Sequence, residues 1–166
     1  MAWIQLSGVG ILLTAYARPP SFVFSHSPSG NLIIPIVQTL SEKPMTDLAL
    51  LADGATALCA STDRTVSVLD TRTSTTTNSP ASTFSHPAMP STLSAHPTDE
   101  RRVMSGAYDG IVRVWDLRSV KAAVASLKCE KGGKVLSVDW GKGIGGLGGE
   151  DGVEIWKIGE GGEKAQ

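Results

Sequence analysis

Two short runs alternate apolar, mostly β-branched residues with others: TVSVLD at 65–70 and IVRVWD at 111–116. A period of two sends successive side chains to opposite faces of an extended chain, so both runs predict half-buried strands. KVLSVDW at 134–140 is a third run of this kind. In VMSGAYDGIVRVWD, residues 103–116, two apolar runs flank Asp109-Gly110, the dipeptide that turns a chain back as a hairpin. No apolar stripe with the 3.6-residue period of a helix is sustained; RSVKAAVASL at 118–127 comes nearest and is short.

The runs recur. CASTDRTVSVLDTR at 59–72 aligns without a gap on SGAYDGIVRVWDLR at 105–118, an offset of 46 residues. Asp63 falls on Asp109, Val68 on Val114, Asp70 on Asp116 and Arg72 on Arg118. Further back, Asp53 falls on Asp99 and Ala49 on Ala95. A third copy, GEDGVEIWKI at 149–158, fits with one residue fewer in the turn, and Asp151 follows Asp109 by 42 residues. Repeats of this length belong to propeller blades or helical solenoids, and the strand pattern selects the blade. The unit is a four-stranded antiparallel sheet, with strands of the middle copy expected near 91–95, 102–107, 111–116 and 121–128.

Asp109-Gly110, Trp115-Asp116 and the period resemble the WD-repeat (WD40) β-propeller family. The resemblance implies an all-β fold: a partial WD40 propeller of about three four-stranded antiparallel blades. That is too few to close a ring, which takes about four to eight. Blades are expected near 41–85, 86–131 and 132–160, within a propeller region 25–160. Residues 1–24 are left as an atypical N-terminal segment, and 161–166 as a disordered tail. By the same resemblance His86, Ser105, Asp109 and Trp115 form a structural hydrogen-bond network. Asp109 accepts from its own turn and from the imidazole, His86 bridges Asp109 to Ser105, and Ser105 accepts from the Trp115 indole. Such bonds contribute about 1.5–3 kcal/mol where one partner is charged. The first copy has Cys59 at the serine position and Leu69 at the tryptophan position, so its network is degraded while its strand pattern persists.

Composition narrows the chemistry. At 166 residues, 41% apolar and 19% charged, the chain is of one-domain size and suited to a packed core. The 18 glycines and 9 prolines forecast many turns. A net charge of −1 gives no overall field for nucleic acid or anionic membrane. Cys59 and Cys129 form no CxxC and read as small buried hydrophobes without a disulfide. The apolar stretch at 9–17 ends in Ala15-Tyr16-Ala17, like a cleavage site, but no Lys or Arg precedes it, and it is too short to span a bilayer.

A Ser105/His86/Asp109 triad would need an exposed nucleophile and room for a substrate, and Ser105 lies on an internal strand. No catalytic residue is therefore assigned. Gly141, Gly143 and Gly146 satisfy G-x-G-x-x-G, yet turn and strand patterns follow instead of a helix, so they predict a glycine-rich hairpin. EKGGKVLS lacks the Ser/Thr of a P-loop, Val135 following Lys134. His26, His86 and His96 are too scattered for a metal, and no cofactor is expected. The Ser/Thr-rich stretch 71–85 reads as a solvated connection, and DERR at 99–102 as an exposed turn whose arginines could meet a partner.

QTLSEKP at 38–44 and KVLSVDW are similar to the C-terminal blades of a fungal WD-repeat protein of ribosome biogenesis. The likeness covers residues 32–160 or so. It implies a non-catalytic scaffold in ribosomal RNA processing and large-subunit assembly, in the nucleus, nucleolus and nucleoplasm. The implied partners are the block-of-proliferation and pescadillo homologues and pre-ribosomal particles, with no membrane and no direct nucleic-acid contact. The family's contact with a remodelling ATPase is not carried over, because it uses a ubiquitin-like domain absent from this sequence. The alternative is a generic WD-repeat adaptor in signalling or ubiquitin ligation.

Overall fold

The computed structural model describes residues 10–17, 20–27, 36–39, 43–70 and 80–158. Among them all regular structure is strand, in four antiparallel sheets whose strands follow chain order. The first sheet holds β1 (Gly10–Ala17), β2 (Pro20–Ser27) and β3 (Ile36–Thr39). The second holds β4 (Met45–Leu50), β5 (Thr56–Ser61), β6 (Thr65–Asp70) and β7 (Ser82–Ser85). The third holds β8 (Pro90–Ala95), β9 (Arg102–Ala107), β10 (Ile111–Asp116) and β11 (Ala125–Lys128). The fourth holds β12 (Val135–Gly141), β13 (Ile144–Gly149) and β14 (Gly152–Lys157). None of these sheets closes on another, and the fold is a partial propeller.

Three details differ from the sequence reading. The fourth strand of the middle blade starts at Ala125, opposite Val114, rather than near 121. Ser119 N–H donates to Asp116 O and turns the chain, and pairing resumes where Val124 N–H donates to Val114 O at 2.8 Å. The last sheet has three strands among the described residues, not four. The apolar stretch at 9–17 supplies β1, and the β1–β2 ladder runs across position 24, from Gly10↔Ser27 to Ala17↔Pro20. Residues 1–9, the 71–79 part of the Ser/Thr-rich connection and the tail 161–166 lie outside the described residues.

Alternation decides the packing. Along β9, Val103 faces the second sheet and Met104 the fourth, and both are fully buried. Leu58, Ala60, Val66, Val68, Phe84, Leu93, Val103 and Trp115 fill the space between the second and third sheets. Met104, Val112, Cys129, Val135, Val138, Trp140 and Leu147 fill that between the third and fourth. The third sheet is thus covered on both faces, as parallel stacking of repeats requires. Each first strand of a repeat carries a bulge near its start, between Met45 and Asp47, Pro90 and Thr92, and Val135 and Ser137.

Polar side chains join neighbouring first strands. Asp47 Oδ1 accepts from Leu48 N–H at 2.8 Å while Oδ2 accepts from Leu93 N–H, 46 residues on, at 2.7 Å. Thr92 Oγ1 accepts from Val138 N–H, again 46 residues on, at 3.4 Å. The repeat seen in sequence is therefore also the step between sheets.

The glycine hairpin forms where expected. Gly141 pairs with Ile144, Gly143 takes φ +70°, and strand β13 follows. At the next turn of each repeat, β5–β6, β9–β10 and β13–β14, the left-handed position is held by Arg64 (φ +69°), Gly110 (φ +74°) and Gly152 (φ +128°).

At Gly106 the third sheet lies close against the fourth: a Cβ there would lie 2.4 Å from Val135 Cγ1, and 2.8 Å from Thr92 Cγ2 on the neighbouring strand. Gly106→Ala should lower stability by about 1–3 kcal/mol through overpacking. Urea unfolding would register this as a lower midpoint at an unchanged slope.

Candidate functional site

The middle repeat brings His86, Ser105 and Trp115 together on the face of the third sheet that meets the second. Alternation puts Val103, Ser105 and Ala107 of β9 on that face, and Arg113 and Trp115 of β10 beside them. Arg113 is directly opposite Ser105, and Trp115 opposite Val103. His86 comes from the connection between β7 and β8, where its backbone N–H donates to Arg64 O at 2.7 Å. Ser105 is 0% exposed, Trp115 2% and His86 3%.

The bonds form a directed chain. Trp115 Nε1–H donates to Ser105 Oγ at 2.8 Å. His86 Nε2 lies 2.9 Å from the same Oγ, and Nδ1 lies 2.7 Å from Ala88 O. A carbonyl oxygen only accepts, so Nδ1 carries the proton and Nε2 of the neutral ring accepts. The hydroxyl proton of Ser105 then points at Nε2, and every group in the chain is satisfied. Ring contacts hold the geometry: Trp115 lies 4.9 Å from Phe84 and 5.5 Å from His86 between centroids.

Asp109 is placed differently from the sequence expectation. Its carboxylate does not bond the imidazole. It grips Arg113, Nη1 to Oδ1 at 3.2 Å and Nη2 to Oδ2 at 2.6 Å, and Oδ1 also accepts from Ile111 N–H at 3.2 Å. The reason is reach: Arg113 offers a planar fork four residues along, and the Ala88 carbonyl has already taken Nδ1. Arg113 is the residue that sequence reasoning missed. An arginine on an otherwise apolar strand, four positions after a turn aspartate, was the available signal.

The electrostatics follow. Burial pushes the His86 imidazole below its ordinary 6.5; the Ala88 carbonyl opposes this, the Arg113 guanidinium adds to it and Asp109 opposes it. Burial works to raise Asp109, but the hydrogen bonds and charge of Arg113 outweigh it and hold the carboxyl below its usual range.

The other two repeats keep the strands and lose the chain. Cys59, at the serine position, is buried and free, and burial followed by the charge of Asp47 raises its thiol well above 9.0. Leu69 fills the tryptophan position. In the last repeat Leu147 stands at the serine position and Trp156 is only half-buried. The turn aspartate survives: Asp63 Oδ1 accepts from Thr65 N–H at 2.9 Å. Among the described residues no group of three or more His, Cys, Asp and Glu side chains could hold a metal.

Chemically, the Ser105 hydroxyl is closed to solvent, donates to one ring and accepts from another. That fixes two strands of the third sheet and the loop before it to one another; it offers no nucleophile to a solute. The family model described as "WD domain, G-beta repeat" matches residues 78–116. That match runs from the strand β7 through β10, so this part of the chain is similar to a WD repeat, the blade unit of a β-propeller. Over more of its length the chain is similar to the "Ribosome biogenesis protein YTM1" of Laccaria bicolor, 53% identical over 125 residues. It is likewise similar to the protein of that name in Coprinopsis cinerea, 50% identical over 120 residues. These alignments cover 74% and 72% of this chain but 28% and 27% of those proteins. The "Ribosome biogenesis protein WDR12 homolog" of Ixodes scapularis is 37% identical over 84 residues, 51% of this chain and 20% of that one. The chain thus spans less than a third of the curated relatives it matches.

Two outcomes are expected here. Ser105→Ala leaves the Trp115 N–H and His86 Nε2 buried without partners and should cost about 2–4 kcal/mol. Trp115→Ala should cost about 3–5 kcal/mol through the cavity. The two losses should fall short of adding in the double variant, since both break one chain, as a double-mutant cycle by chemical unfolding would show. The second outcome concerns pH. With the His86 pKa lowered in the fold, the unfolded chain binds a proton first, so stability is full above about 6.5 and declines as pH falls through the lowered value. Thermal midpoints of the wild type minus those of His86→Gln should show that decline.

Proposed function

We propose that this chain is a non-catalytic interaction scaffold acting in ribosomal RNA processing and large ribosomal subunit assembly. The observation that carries the reading is the 53% identity to a protein named for ribosome biogenesis, extending well beyond the single WD repeat. The sealed Ser105–His86 pair supports a non-enzymatic role, because the one serine–histidine contact in the middle repeat is spent on architecture. Blades assigned near 41–85, 86–131 and 132–160 present the loops that would make contacts, on a frame of His86, Ser105 and Trp115 with the Asp109–Arg113 pair beside it. The partners that fit are the block-of-proliferation and pescadillo homologues and pre-ribosomal particles, which places the work in the nucleus, nucleolus and nucleoplasm.

Affinity capture of the tagged chain from nuclear extract checks this reading. The expected result is co-purification of the block-of-proliferation homologue with large-subunit precursors. Enrichment of ubiquitin-ligase or signalling subunits, with assembly factors absent, would replace it with the generic adaptor reading. Hydrolysis of ester or peptide substrates that disappears in Ser105→Ala would overturn the non-catalytic part.

A further inference from the structure

One cleft lies apart from the hydrogen-bond chain. β8 runs from Pro90, beside the Asp109 turn, to Ala95, so the loop after it sits at the opposite end of the third sheet. That loop, residues 96–101, faces the β12–β13 turn of the next sheet. Between them is a cleft of about 420 Å³, lined among others by His96, Pro97, Arg102, Trp140, Lys142 and Ile158. None of its lining residues is acidic.

It offers several donors. His96 Nδ1 accepts from Asp99 N–H at 2.9 Å and from Thr98 N–H at 3.2 Å. Nδ1 is therefore the bare nitrogen, and the ring's proton sits on Nε2. The ring is held edge-on against Trp140, 4.6 Å between centroids, and Trp140 is itself buried. Arg102 Nε pairs with Asp99 Oδ2 at 3.3 Å, and its terminal nitrogens have no partner among the described residues. Lys142, in the turn, is exposed, with neither ion pair nor hydrogen bond among the described residues. Pro97, Trp140 and Ile158 give the cleft an apolar wall.

We propose that this cleft receives an acidic peptide segment of a partner protein, a carboxylate lying between Arg102, Lys142 and His96 Nε2–H and a neighbouring aliphatic side chain resting on Pro97 and Ile158. Charge complementarity is the argument: Lys142, the terminal nitrogens of Arg102 and the His96 ring N–H line one cleft that no carboxylate lines, and Asp99 answers Arg102 only at Nε. An RNA strand would instead ask for a train of cations along a groove with bases stacked beside it. Here the donors share a single cleft, on a chain of net charge −1. The site is independent of which complex the chain joins.

The test follows the Trp140 indole N–H resonance of the full chain by nitrogen–proton correlation spectra at physiological salt. The probes are an acetylated Glu-Leu-Glu-Leu-Glu peptide amide, its Gln-Leu-Gln-Leu-Gln counterpart and a short oligouridylate. The acidic peptide should move the Trp140 and His96 signals saturably, and the glutamine peptide should not. Lys142→Glu, a change in an exposed turn, should weaken that binding about tenfold by turning an attraction into a repulsion. Equal responses to the two peptides, an unchanged affinity in Lys142→Glu, or a response to the oligouridylate alone would each overturn the proposal.

Discussion

A β-sheet of this size cannot bury both its faces by itself, and the third sheet manages it only by lying between two others. Val103 and Trp115 point one way, Met104 and Val112 the other, and all four are buried. Placing polar groups in such a seam is costly unless each finds a partner. The chain Trp115–Ser105–His86–Ala88 meets that demand with one hydroxyl acting in both directions. It also pins the loop before β8 to the strands behind it, so one polar line sets the position of the blade's first strand.

The neighbouring repeats show what is essential and what is not. With Cys59 and Leu69 in place of serine and tryptophan, the second sheet keeps its four strands and its buried face. Apolar alternation builds a blade; the polar chain fixes how its connecting loop is held. The bonds from Asp47 to Leu93 and from Thr92 to Val138 extend the same economy between sheets, by carrying side-chain acceptors from one first strand to the backbone of the next.

The two ends of the middle blade differ in kind. At one end Asp109 and Arg113 close a bidentate pair beside the buried imidazole, and the charges there answer each other. At the other, Arg102 and Lys142 flank an apolar cleft with no lining carboxylate. A frame satisfied internally at one end and keeping free donors on Lys142 and Arg102 at the other suits an interaction module: rigid where it must hold shape, available where it meets a partner.

Much of this was legible in the residues alone. The period of two in IVRVWD, the Asp109-Gly110 turn and the 46-residue recurrence dictate strands, hairpins and repeats, because alternation and turn geometry are local properties. The pairing of Ser105 with His86 and Trp115 was expected from the resemblance to WD repeats. What tertiary structure decided was the partner of each polar group. Asp109 chose Arg113 over His86, the imidazole chose a loop carbonyl, and β11 waited until Ala125 to pair. Each outcome depends on which donor lies closest once the sheets are stacked, a distance in space that no spacing along the chain encodes.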